Sequence, residues 1–228
     1  MSLINRIKRF PSRRENAKKA ILLCGFGGAI WQTKRLTSTL NRAGYDVTAL
    51  DFPKDVLSKG DPTLLPKLVD EVVAFVEAEA KKTDQKILLV GISLGSLLSL
   101  NIFRRSKFFD TAVMVTGGNI VTVAQNIYGR KIWPQTHEEL SELWKDVNIH
   151  SNPKSLSGKK ALFVLPTRDK LIDTSEVLAE AARQNQQGNS IELVKRKSFG
   201  HLGTIVEETV LFPKRILKYI ERVESKSR

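Results

Sequence analysis

The chain has 228 residues, 41% of them hydrophobic and 27% charged, and carries a formal net charge of +13. That length and balance fit one soluble α/β domain able to bury a sizeable core, and no apolar run reaches the roughly 18 residues that would suggest a membrane span. Cys24 is the only cysteine, so an intramolecular disulfide is excluded, and the residue is expected to be a small buried strand side chain.

The positive excess sits at the two ends. Residues 1–19 carry Arg6, Lys8, Arg9, Arg13, Arg14, Lys18 and Lys19 against Glu15, and the tail from Lys214 carries six basic residues against Glu221 and Glu224. Residues 1–18 are therefore expected to form a basic arm, with 19–228 a single domain. Solvated termini are the plain expectation. Leu3, Ile4, Ile7 and Phe10 would also give the arm an apolar side, suited to peripheral contact with an anionic membrane. Nucleic acid ranks lower, because no aromatic-rich basic surface or binding motif is present. The basic start does not match a lipoprotein signal, since Leu23 stands before the cysteine where a small residue is expected. A cytoplasmic location is expected.

In chain order, Lys19 to Cys24 reads as a buried strand entering the loop Gly25-Phe26-Gly27-Gly28, followed by a helix from Trp31 to Ala43 that Gly44 stops. Tyr45 to Asp51 is a second strand. Asp61-Pro62 suits the start of a helix whose apolar stripe is Leu64, Leu65, Leu68, Val69, Val72, Val73 and Val76. A third strand ends at Gly91-Ile92-Ser93-Leu94-Gly95, and Leu94 to Arg105 continues as a helix with so little charge that it should be buried. Thr111 to Thr116 is a fourth strand. The rhythm then fails over residues 119–158, too long for an ordinary connection, and the segment is expected to be a small lid with a helix from Glu138 to Val147. Ala161 to Pro166 and Ile191 to Lys195 are strands five and six, with a helix from Thr174 to Gln187 between them. A final helix from Thr204 to Ile220 should kink or break at Pro213. Alternating strands and helices imply a mainly parallel six-stranded sheet with helices on both faces. If strands one and three are neighbours, the Gly25–Gly28 loop and the Ser93 turn meet at a switch point, where ligands bind in such sheets.

A serine at a sharp strand-to-helix turn needs a strained backbone and small flanking residues, which Gly91 and Gly95 supply. Its hydroxyl then needs a base, and the base an orienting acid. Ser198-Phe199-Gly200-His201 places a histidine beyond strand six, whereas His137 and His150 fall in the lid. Beyond strand five stand Asp169 and Asp173. Asp169 is nearer the strand and is the preferred acid; Asp173 could instead cap the following helix.

The order Ser93, Asp169, His201, each just beyond a predicted strand, resembles the α/β-hydrolase family over residues 20–220. That resemblance implies Ser93 as nucleophile, His201 as general base and then acid, and Asp169 holding the imidazole. It implies an oxyanion hole from the backbone N–H of Leu94 with that of Phe26 or Gly27. It further implies a serine hydrolase of the carboxylesterase or lipase type acting on a small-molecule ester or thioester through an acyl-enzyme, with no cofactor and no metal. Tyr128, Trp133 and Trp144 are expected to line an apolar acyl pocket. This chain departs from many members in having Cys24-Gly25 where they have His-Gly, and Phe52-Pro53-Lys54-Asp55 after strand two. One alternative is a hydrolase-like fold without turnover that serves as a binding or membrane-associated protein. Another is a dinucleotide-binding domain built on Gly25-Phe26-Gly27-Gly28-Ala29-Ile30 and Asp51, in which Ile30 stands where the third glycine belongs.

Overall fold

Strands that are nearly continuous in apolar residues can be stable only when both faces of a sheet are covered, and the chain meets that condition with helices on each side. The computed structural model describes residues 2–26, 33–109, 111–148, 159–197 and 200–225. Its strands are β1 (Arg6–Phe10), β2 (Lys18–Phe26), β3 (Tyr45–Phe52), β4 (Ile87–Ile92), β5 (Thr111–Val115), β6 (Lys160–Pro166) and β7 (Ser190–Arg196). They form one sheet in the order β1-β3-β2-β4-β5-β6-β7, parallel throughout except for β1, which runs antiparallel to β3. The helices are α1 (Lys34–Arg42), α2 (Asp55–Ser58), α3 (Leu64–Ala80), α4 (Leu94–Arg105), α5 (Ile120–Ile132), α6 (His137–Leu143), α7 (Thr174–Gln186), α8 (Gly200–Val206) and α9 (Lys214–Ser225).

Side chains alternate between two cores, as the two-residue period of a strand requires. Leu22, Ala49, Val90, Val113 and Val164 point to the face covered by Leu36 and Leu40 of α1 and Ile216, Ile220 and Val223 of α9. Leu23, Leu50, Leu89, Met114 and Phe163 point to the opposite face, which α3, α4 and α7 cover. As expected, α4 is buried, from Leu94 to Phe103.

The sheet has seven strands, not six, and the difference lies in the segment expected to be a free basic arm. An open β3 edge would leave a row of backbone donors and acceptors unpaired. Arg6 to Phe10 occupies that edge, with Arg6 opposite Asp51 and Phe10 opposite Val47. The Glu71 carboxylate accepts hydrogen bonds from the N–H groups of Leu3 (2.7 Å) and Ile4 (3.3 Å), and both side chains pack on the large core. Of the four apolar residues expected to face a membrane, Ile7 alone is exposed.

Other boundaries move modestly. α3 begins at Leu64, because Asp61 uses its carboxylate to accept from the N–H and hydroxyl of Thr63. The final helix breaks at Phe212-Pro213 as expected, but its first part begins at Gly200 and passes through a π-helical turn, Glu207–Leu211. The expected helix start at Trp31 lies outside the described residues.

The predicted adjacency of the first and third parallel strands is present: β2 pairs with β4 from Lys19↔Ile87 to Leu23↔Gly91. Two glycines let α4 lie close against this pair of strands. A β-carbon on Gly95 would fall on the Leu23 carbonyl group, and one on Gly91 would stand 2.5 Å from the Gly95 oxygen. Gly95→Ala is therefore expected to destabilise the fold by about 3 kcal/mol or more, at the upper end for overpacking. Urea unfolding measures this; a loss below about 1 kcal/mol contradicts the close approach.

Candidate active site

Where β4 turns into α4, Ser93 has φ 54° and ψ −116°, a left-handed conformation unusual for a residue with a side chain. The turn is held from below. The Val115 carbonyl accepts the Ser93 N–H at 2.8 Å and also the hydroxyls of Ser96 (3.1 Å) and Thr116 (2.7 Å). Thr116 itself has φ 57°, so two strained residues stand side by side at the ends of the neighbouring strands β4 and β5.

The structure brings Ser93, His201 and Asp169 together from three separate strand ends. Ser93 Oγ lies 2.9 Å from His201 Nε2, and His201 Nδ1 lies 3.0 Å from Asp169 Oδ2. A carboxylate can only accept, so Nδ1 carries the proton and Nε2 is left to accept from the serine hydroxyl. His201 stands in the first turn of α8, not in a loop before a later helix. The side chain of Asp169 is fully buried, and its other oxygen accepts from the N–H groups of Leu171 (2.8 Å) and Ile172 (3.2 Å). Burial alone would raise the Asp169 pKa. The hydrogen bonds from His201, Leu171 and Ile172 and the charge of His201 outweigh it and hold the carboxyl below the usual range. Asp173, the other candidate acid, caps α7 instead by accepting from Ser175 N at 2.8 Å.

Leu94 is the first residue of α4, where backbone N–H groups have no intrahelical acceptor, and it lines the same cavity as Ser93. Phe26 ends β2, paired with Phe52; Gly27, the other expected oxyanion donor, lies outside the described residues. Cys24 is buried beside the cavity. Its thiol is pushed up to about 12 by burial and by Asp51, with a hydrogen bond from Thr33 acting the other way, so it is protonated at neutral pH. Asp51, the ribose ligand of the dinucleotide reading, is itself buried.

The cavity above Ser93 measures about 680 Å³. Its walls come from α5 (Ile120, Val123, Ile127) and α8 (Leu202, Ile205, Val206), with Lys34 and Arg35 at one side. No carboxylate among the described residues lines it. The three aromatic residues expected there lie elsewhere. Trp133 and Trp144 are fully buried in the large core, ring centroids 5.0 Å apart and edge to face. Their indole N–H groups donate to the carbonyls of Leu57 (3.0 Å) and Pro62 (2.9 Å), partners available only behind the cavity wall. Tyr128 packs against the same core and is absent from the lining. Residues 120–144 are thus fastened to the domain by their tryptophans, and α5 reaches the cavity with its aliphatic side. The spacing of Ile120, Val123 and Ile127 is a helical signal legible in the sequence.

One polar cluster had no signal in the sequence. Glu208, on the π-helical turn, is fully buried and ion-paired with Arg196 Nε at 2.7 Å, tying the end of β7 to the element that follows His201. Burial pushes its carboxyl above the usual range despite that pairing.

The sheet order, the strained serine and the histidine after the last strand define an α/β-hydrolase. Residues 15–190 match the family model described as serine aminopeptidase, S33, and the chain belongs to that family of hydrolases. A search of curated proteins by sequence finds no match. Among solved structures the fold is similar to an acylaminoacyl peptidase from Pyrococcus horikoshii, with 14% identity and a TM-score of 0.66 over 94% of this chain. The chain spans 39% of the length of that peptidase. It is also similar to an esterase from Pyrococcus furiosus, with 20% identity and a TM-score of 0.65 over 91% of this chain and 83% of the other. A hormone-sensitive lipase from a metagenome library gives 19% identity and a TM-score of 0.68, covering 94% of this chain and 81% of the other. At these identities the likeness is one of fold.

Two outcomes test the placements. Trp133→Ala is expected to cost about 3–5 kcal/mol in urea unfolding, as for a core residue; a loss below about 1 kcal/mol would contradict the core placement. Because the Asp169 pKa is lowered on folding from 3.8, its contribution to stability is complete above that value and is lost as pH falls through the folded pKa. Asp169→Asn should therefore lose less stability than the parent when unfolding is measured from pH 5 down to pH 3, and equal losses would contradict the arrangement.

Proposed function

We propose that the chain is a carboxylic ester hydrolase for substrates with an apolar acyl group, working through an acyl-enzyme on Ser93. The observation that carries this reading is the continuous hydrogen-bonded line Asp169, His201, Ser93, ending in a cavity whose walls are aliphatic. His201 Nε2 takes the hydroxyl proton as Ser93 Oγ attacks the acyl carbon, and Asp169 stabilises the imidazolium that results. Negative charge developing on the carbonyl oxygen meets the Leu94 N–H and a second N–H from the Phe26-Gly27 segment. The Ser93 N–H is already committed to Val115 and takes no part. His201 returns the proton to the leaving alcohol, and the same base then activates water to release the acid.

Two features favour an ester over a peptide amino terminus. An aminopeptidase must hold its substrate's ammonium group, and the cavity offers no carboxylate among the described residues for that purpose, while Lys34 and Arg35 would repel it. The aliphatic walls suit an acyl chain, whose transfer from water contributes about 0.8 kcal/mol per buried CH₂.

Ser93→Ala should lower kcat on p-nitrophenyl esters by a factor on the order of 10⁶ with the fold intact; unchanged turnover would end the assignment. Lengthening the acyl chain from acetate to octanoate should raise kcat/KM. Ile127→Asp on the cavity wall should remove that gain; a preference for amino-acid amides over octanoate would favour peptidase chemistry instead.

A further inference from the structure

The cavity accounts for the inside of the site but not for the surface around its mouth. Seven large apolar side chains are strongly exposed among the described residues, and five of them gather here. Ile127, Leu202 and Val206 border the cavity, and Leu211 and Phe212 border a groove of about 520 Å³ that meets it at Arg35 and Val210. Leu202 is the most open, at 71% exposure. Exposed apolar residues of a soluble chain are ordinarily scattered, so a cluster calls for a partner.

The groove is basic for a structural reason. α1 and α9 turn their apolar stripes to the sheet, which leaves Arg35 and Arg42 of one helix and Lys214, Arg215 and Lys218 of the other along its walls. No carboxylate lines it among the described residues. Arg215 is paired with Glu207 and lies over the Phe212 ring, 4.1 Å from its centroid. Lys34, Arg42, Lys214 and Lys218 are exposed and have no ion-pair partner among the described residues.

We propose that this face docks on the surface of an anionic lipid bilayer. Leu202, Val206, Leu211 and Phe212 enter the headgroup region, and Lys34, Arg35, Arg42, Lys214 and Lys218 lie against lipid phosphates and carboxylates, with the cavity mouth turned to the membrane. An apolar ridge beside unneutralised cations is complementary to such an interface on both counts. A second copy of this chain fits poorly, since a two-fold contact would set these cations against their own kind. The packed N-terminal residues Leu3 and Ile4 are not the anchor. Docking requires no turnover, so it stands or falls separately from the role of Ser93.

The test is flotation of the full chain with phosphatidylcholine vesicles and with vesicles also containing phosphatidylserine. The chain should float with the anionic vesicles, less so as salt is raised, and poorly with the neutral ones. Combined Arg42→Glu, Lys214→Glu and Lys218→Glu should lower partitioning at least about 100-fold, at roughly fivefold for each cation lost, with hydrolysis of a soluble short-chain ester unchanged. Leu211→Ser with Phe212→Ser should also lower it, at the same net charge. Ser93→Ala should float like the parent. Failure of the folded parent to bind anionic vesicles would overturn the proposal, as would equal binding by the charge-reversed variant. So would concentration-dependent dimerisation that those substitutions abolish without any vesicle binding.

Discussion

The arrangement depends on a backbone contact at the centre of the sheet, where the first turn of α4 lies on the carbonyl of Leu23 because Gly95 has no side chain to hold it away. With that approach closed, α4 would have to lift off β2, and Ser93 with it. The contact sets the height of the serine above the end of the sheet and keeps it beside Gly25, whose added β-carbon would stand 3.1 Å from that of Ser93. From the other side the Val115 carbonyl fixes the serine backbone through its N–H. The strained dihedrals are sustained because both neighbouring strands over-determine them.

His201 and Asp169 reach that fixed point by the same logic of strand ends. Each lies a few residues past a parallel strand, so the carboxyl edge of the sheet gathers groups that are 32 and 108 residues apart in the chain. Asp169 is held by two backbone N–H groups as well as by the histidine. The imidazole is thereby oriented before any ligand arrives, as the proposed proton transfer from Ser93 would require.

The parallel strands were legible because strands covered on both faces read as apolar runs, and Ser93 and His201 could be placed relative to them. β1 was not, since an edge strand with the sequence Arg-Ile-Lys-Arg-Phe carries no such run and its place is set by the open side of β3. Asp169 and Asp173 are not distinguished by sequence, because both stand near the end of β6 and a helix cap and a histidine partner look alike there; only in the fold does Asp169 meet His201 and Asp173 cap α7. The core position of Trp133 and Trp144 is hidden in the sequence for a related reason. An aromatic residue in a long connection reads the same whether it faces a cavity or the core, and their partners Leu57 and Pro62 belong to a segment far earlier in the chain. The aliphatic wall on α5 is written in the sequence as the helical period of Ile120, Val123 and Ile127.

The division of the molecule into an aliphatic cavity and a basic outer face explains part of the net charge of +13 without invoking a nucleic acid. The proposed chemistry requires Ser93 to carry the acyl group during turnover. Rapid quenching of the reaction with p-nitrophenyl octanoate, followed by mass spectrometry of the digested chain, tests it most directly. An octanoyl adduct is expected on the peptide containing Ser93, approaching one per chain when deacylation is slower than acylation, and absent from Ser93→Ala. An adduct on another residue, with turnover retained in Ser93→Ala, would contradict it.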